Sequence, residues 1–150
     1  MKEYTTAHLR NVAVLGHGNS GKTSLLDACL YHTGTAKRCG SVDEGTSLLD
    51  VLPEEKTRKL TIEMKLAACE WGEEKLNLLD TPGYPDFFGE AVSAVAAADA
   101  ALLVLSAPAG IEVETEKLWQ LARSEDLPCA FFLNKMDREH ADFRQVVEEL

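Results

Sequence analysis

At 150 residues the chain can bury a core of its own, and 45% apolar with 27% charged residues is the composition of an ordinary globular domain. Its 15 basic and 25 acidic residues leave a formal charge of −10, which argues against a broad basic surface for direct nucleic-acid binding. Residues 1–6 lack the apolar centre of a signal peptide and no apolar run reaches the length of a membrane span. The scattered Cys29, Cys39, Cys69 and Cys129 suit neither a zinc site nor a disulfide framework, so a cytoplasmic protein with no membrane partner is expected.

Taken in chain order, apolar runs alternate with helical patterns, which predicts an α/β domain with a mostly parallel sheet flanked by helices. Residues 12–15 read as a first strand and 23–32 as a helix that Gly34 ends. Between them lies Gly16-His17-Gly18-Asn19-Ser20-Gly21-Lys22-Thr23, which fits the phosphate-loop pattern G-x-x-x-x-G-K-[ST]. Strand, glycine loop, helix is the context in which that pattern has a mechanism. Backbone N–H groups from His17 to Ser24 would wrap the phosphates at the positive end of the helix. Lys22 would bridge the outer phosphates and the Thr23 hydroxyl would ligate Mg²⁺. The chain is therefore expected to bind a nucleoside triphosphate.

Residues 35–59 show no clean period and read as a long functional or mobile loop. Residues 61–70 and 75–79 read as strands joined by a turn at Trp71-Gly72-Glu73-Glu74. The second ends in Asp80-Thr81-Pro82-Gly83, where a carboxylate at a strand end can hold the Mg²⁺ shell and Gly83 lets backbone approach the γ-phosphate. Residues 87–98 are helical, 101–105 form a buried strand, 113–124 are helical, 129–133 form another buried strand, and a helix begins at about Ala141. Asn134-Lys135-Met136-Asp137 closes the last strand. The Asp137 carboxylate can accept from N1–H and the exocyclic amine of guanine, whereas adenine would leave it unpaired. Asn134 can reach the other edge of the base and the Lys135 stem can lie across the ring, so the nucleotide is read as guanine.

Together the three motifs resemble those of the translational GTPases, in particular the elongation factor G and elongation factor G-like group. Gly16-His17 opens the loop, Asp80 to Gly83 continues into Asp86-Phe87, and residues 50–62 align with an acidic stretch that ends R-G-I-T-I in that family, here Arg58-Lys59-Leu60-Thr61-Ile62. The resemblance implies a G domain of the phosphate-loop NTPase fold that hydrolyses GTP to GDP and phosphate with Mg²⁺, acting at the ribosome in the full-length protein. It implies that Thr61 joins Thr23 and Asp80 as a metal ligand, with a first switch before Thr61 and a second from Asp80 to about Ala91. Because the family's fifth guanine motif does not follow Asp137, the chain reads as the front portion of a G domain, short of its last strand and helix, with an apolar sheet face left open.

Three positions depart from that pattern. Tyr84 stands where the family has the histidine that orients the attacking water; a phenol carries no positive charge but can still hydrogen-bond water. With Lys22 and Gly83 it makes up the candidate catalytic set. The alternative reading is a guanine-nucleotide switch or partner module with little hydrolysis of its own. Lys59 replaces the glycine before the switch threonine and reads as a solvated side chain. Asn19 replaces an aspartate; it reads as a backbone-capping amide, with a monovalent-cation ligand as the second reading.

Overall fold

The computed structural model describes residues 3–150. Among them, strands and α-helices follow as β1 (Leu9–Leu15), α1 (Lys22–His32), α2 (Pro53–Arg58), β2 (Lys65–Trp71), β3 (Glu74–Asp80), α3 (Phe88–Ala97), β4 (Ala100–Ser106), α4 (Val113–Ser124), β5 (Cys129–Asn134) and α5 (Phe143–Glu149). The sheet order is β2-β3-β1-β4-β5. The four strands from β3 to β5 are parallel, and β2 runs antiparallel to β3 because only two residues join them, with Gly72 at φ +61° making the tight turn. This is the mostly parallel α/β domain expected from the alternating pattern.

Register sets where the motifs emerge. Val14 lies opposite Asp80 on β3 and Leu102 on β4, and Ser106 on β4 lies opposite Asn134 on β5. The loop after β1, the turn after β3 and the loop after β5 therefore share the carboxyl edge of the sheet, where ligands bind in open α/β folds. The Thr81 hydroxyl donates to the Val14 carbonyl at 2.6 Å and locks β3 against β1 just before the turn.

Alternation along the strands splits the core in two. Ala13, Leu15, Leu79 and Leu103 face Ala91, Ala94 and Val95 of α3 and Leu118 and Ala122 of α4. Val14, Leu78 and Val104 face Leu26 and Leu30 of α1 and Leu49. The second face is incompletely covered: a cavity of about 740 Å³ opens over Val12, Leu76, Leu78, Leu102 and Cys129.

Several boundaries differ from the sequence reading. The first strand starts at Leu9, three residues early, because its half-exposed residues pair with Lys75, Leu76 and Asn77 without an apolar run. The strand read over 61–70 begins only at Lys65. The Ile62 and Glu63 N–H groups donate to the Glu55 carboxylate, which removes them from any ladder. The stretch 35–59 contains α2, two turns too short to show a period, although Pro53 at the first helical position and Glu54 and Glu55 in the first turn are a start signal. The last helix begins at Phe143, since the Asp142 side chain accepts from the Arg144 and Gln145 N–H groups and caps it.

Candidate nucleotide-binding site

A cleft of about 530 Å³ opens at the carboxyl edge, lined among others by Gly18, Lys22, Thr23, Thr61, Gly83 and Lys135. Its floor is the loop between β1 and α1. Gly16, Asn19 and Gly21 take positive φ, at +143°, +62° and +99°, and curl the loop so that backbone amides can converge on an anion. The N-terminus of α1 opens directly from it at Lys22, and the exposed Ser24 lies on the rim. A side chain at Gly16 would strike the Val104 carbonyl, so the loop passes closer to β4 than any other residue would allow. Ser20 is buried beneath the loop, its hydroxyl without a hydrogen-bond partner among the described residues.

Lys22 is 5% exposed and its Nζ donates to the Gly16 and His17 carbonyls, both at 2.9 Å. The ammonium thus spans the loop from which it rises. Burial pulls its pKa down to about 8, against the favourable charges of Asp80 and Glu112. A phosphate chain would add negative charge beside this buried ammonium and stabilise it further.

The hydroxyl of Thr23 donates to Asp80 Oδ2 at 2.8 Å and lies 3.0 Å from the hydroxyl of Thr61, which in turn donates to Asp50 Oδ1 at 3.4 Å. All four residues are buried. The three residues read as metal ligands, Thr23, Thr61 and Asp80, are therefore brought together from α1, the loop after α2 and the end of β3. Asp80 Oδ1 is buried with no hydrogen-bond partner among the described residues, and burial pushes the carboxyl up to about 7 despite Thr23 and Lys22. An oxygen-only set with one orphaned carboxylate oxygen fits a hard divalent cation such as Mg²⁺, which completes its shell with waters and phosphate.

Thr81, Pro82 and Gly83 are buried, and Gly83 presses on the loop: a Cβ there would come 2.5 Å from the Gly18 nitrogen and 2.5 Å from Lys22 Nζ. Tyr84 follows in extended backbone before Pro85, with its ring over Gly18 and its hydroxyl accepting from Asn19 Nδ2 at 3.2 Å.

At the far end of the cleft, Asn134 Nδ2 donates to the Ser20 carbonyl at 2.9 Å and Asn134 Oδ1 accepts from the Lys135 N–H at 2.8 Å. Asn134 thus ties β5 to the phosphate loop, and Gly21 is bare because a Cβ would fall on that amide. Lys135 takes a left-handed φ of +59° and lines the cleft with Arg138. Met136 and Asp137 lie in the exposed turn between them, and among the described residues no hydrogen bond joins Asp137 to the loop.

Three anchoring carboxylates lie outside the motifs that the sequence singles out. Glu55, fully buried, accepts from the Leu52, Ile62 and Glu63 N–H groups and from Lys65 Nζ, clamping the backbone on both sides of α2 and directly after Thr61. These bonds hold its carboxyl below the ordinary glutamate range although burial pushes the other way. Asp27 on α1 is also fully buried and accepts from Leu48 N–H, and Asp50 holds Thr61. The signal was available, since Asp27 lies among the apolar residues of α1 and Glu55 three residues after Leu52 at a helix start. His17 was counted for its place in the loop. Its ring turns away from the cleft floor toward α4, with Nδ1 3.1 Å from Glu114 and Nε2 3.2 Å from Glu112. Lys59, expected to be merely solvated, closes α2 at φ +55°, a conformation that costs a lysine about 1 kcal/mol and a glycine nothing.

Residues 7–150 match the elongation factor Tu GTP binding domain family. The chain is 39% identical over 144 residues to mitochondrial ribosome-releasing factor 2 of Candida albicans, covering 96% of this chain and 18% of that protein. It is 35% identical to elongation factor G 2 of Borreliella afzelii, covering 95% of this chain and 21% of the other. Among solved structures, a protein of Thermus thermophilus superposes with a TM-score of 0.92 at 42% identity, and a bacterial selenocysteine-specific elongation factor with 0.71 at 27%. These cover 96% and 94% of this chain and 22% of each of the others. The chain thus spans about a fifth of the length of these relatives.

Proposed function

The chain belongs to the elongation factor Tu GTP binding domain family, and we propose that it is the G domain of an elongation factor G-like translational GTPase, binds GTP with Mg²⁺ at this cleft and hydrolyses it to GDP and phosphate. The observation that carries the reading is the buried meeting of Thr23, Thr61 and Asp80 beside Lys22 at the start of α1. Mg²⁺, when bound, draws charge from the β- and γ-phosphate oxygens. The protein's part is positioning. The loop amides and Lys22 hold the phosphates, Thr23 and Asp80 hold the metal shell, and Thr61 reports the γ-phosphate through Glu55 and α2. Asn134, Lys135, Met136 and Asp137 take the guanine, with the Asp137 carboxylate accepting from N1–H and the 2-amine. Ordering of residues 50–62 with the γ-phosphate, and relaxation without it, makes the domain a switch.

The finer parts belong to the same proposal. The chain is the front portion of a G domain whose final strand and helix follow in the full-length protein, and that protein acts on the ribosome in the cytoplasm. A monovalent cation takes the Asn19 side-chain oxygen beside the phosphates; equal hydrolysis rates in potassium and sodium chloride remove it. Equilibrium binding and single-turnover hydrolysis test the whole. GTP is expected to bind far more tightly than ATP and more tightly with Mg²⁺ than with EDTA, with phosphate released in one turnover. ATP binding as tight as GTP binding would sink the assignment. The second reading, a nucleotide switch with little hydrolysis, rests on Tyr84. A large rate gain in Tyr84→His supports it, and a fast parent with no gain in the variant removes it.

A further inference from the structure

Two of the positions that set this chain apart, Asn19 and Tyr84, touch each other across 65 residues of sequence: Asn19 Nδ2 donates to Tyr84 Oη at 3.2 Å. Each is prepared for the contact by its own backbone. Asn19 sits at φ +62°, a left-handed conformation that asparagine adopts more readily than most residues, and this turns its amide up from the loop. Tyr84 is extended before Pro85, and its carbonyl accepts from Phe87 N–H at 3.1 Å, so the chain cannot swing at that point without breaking the short turn at Pro85–Phe87. The ring is seated on Gly18, where a Cβ would come 2.7 Å from Cζ. The ring nitrogens of His17 lie against Glu112 and Glu114, at 3.2 and 3.1 Å, and are engaged there instead of at the hydroxyl.

A phenol oxygen that accepts one hydrogen bond still has its own O–H to give. With Asn19 as the donor, that O–H is left over for the cleft, which Tyr84, Asn19, Lys22 and Thr61 all line. We propose that Asn19 is the positioning residue for Tyr84: its amide holds the phenol over the phosphate loop and fixes the direction of the hydroxyl bond, so that Tyr84 presents a neutral hydrogen-bond donor to the reacting end of the triphosphate. The proposal rests on the GTPase reading above and assigns a role within that site. The amide and a carboxylate differ in this role: an aspartate at the same place would accept from the phenol O–H and turn the bond around.

The test is a cycle of Asn19→Ala, Tyr84→Phe and their double variant in the full chain, with Asn19→Asp alongside, read by single-turnover GTP hydrolysis and by GDP affinity. Phenylalanine keeps the ring on Gly18, so folding is retained. Each single variant is expected to slow the chemical step about tenfold, the double no more than either, with GDP affinity unchanged within about twofold. Asn19→Asp should be as slow as Tyr84→Phe, an outcome that mere filling of space would not produce. Additive losses, or Asn19→Asp as fast as the parent while Tyr84→Phe is slow, overturn the proposal. If the parent binds GTP but does not hydrolyse it, the GTPase reading fails by itself, and the cycle is read on GTP affinity. Non-additive losses there keep the Asn19–Tyr84 unit, and additive losses or none remove it.

Discussion

At the phosphate end of the cleft, the side chains that would meet Mg²⁺ are buried and bonded to one another, Thr23 to Asp80 and Thr61 to Asp50, with Glu55 clamping the backbone behind Thr61. At the base end, Asn134 is tied to the loop, but Met136 and Asp137 lie in an exposed turn. On the proposed function, the difference follows from what each end would recognise. A metal with two or more charged phosphates demands oxygens at fixed places, and a preformed set avoids ordering cost at binding. A base needs one carboxylate and a flat surface, and these can be completed by the ligand itself. Even the strained lysines share the division: Lys59 closes the helix behind the metal end, and Lys135 opens the turn at the base end.

The sharpest way to break the comparison is at the open end. Asp137→Asn should weaken GTP binding by at least about a hundredfold and raise affinity for xanthine nucleotides, whose 2-oxo group suits an amide donor. Competition titration measures both, and retained GTP preference would remove Asp137 from the base site. At the closed end, Glu55→Gln loses the charge that Lys65 and three N–H groups share. It should lower GTP affinity roughly tenfold while GDP affinity changes little, because only the γ-phosphate state needs Thr61. Equal losses for both nucleotides would make Glu55 a support of the fold alone.

A third, smaller effect concerns protons. Asp80 has a folded pKa raised to about 7, so its protonated form contributes stability that is fully present below the ordinary carboxylate range and is lost as pH rises through about 7. Lys22 is depressed to about 8, so its contribution is present above the ordinary lysine range and is lost as pH falls through about 8. The nucleotide-free protein should therefore lose thermal stability between about pH 4 and pH 7, and Mg²⁺ with GDP should flatten that slope by favouring the carboxylate. Calorimetry at about pH 6 in buffers of different ionisation enthalpy should show a proton released on Mg²⁺ binding, and buffer-independent heats would contradict it. Smallest of all, Lys59→Gly relieves a left-handed lysine but loosens the unfolded chain, and should stabilise by no more than about 1 kcal/mol in urea unfolding. A loss of stability would show that the cost of loosening the unfolded chain outweighs the relief of the left-handed backbone.

Much of this site can be read from residue order because its chemistry is local. Gly16 to Thr23, Asp80 to Gly83 and Asn134 to Asp137 each occupy a strand end within a few residues, and each uses backbone geometry that glycine or a short polar side chain advertises. Parallel strands then bring the three together with little further information. Elements held by a side-chain clamp and not by periodicity are harder to read. The helix α2 is too short to show a period and is held by its own Glu55, and Thr61 belongs to a loop instead of a strand because that same carboxylate takes its neighbours' N–H groups.

The loop from Gly16 to Thr23 between a strand and a helix, the turn from Asn134 to Asp137 after a strand, and the alternation of strand and helix are thus legible in the sequence alone, through spacing rules that hold within about ten residues. Only the tertiary structure decided that Asn19 meets Tyr84, that His17 turns to Glu112 and Glu114, and that Asp80 is left with one buried oxygen unpaired. Those outcomes depend on burial and on contacts between residues far apart in the chain, set by how loops close over a sheet edge, and no local pattern encodes that closure.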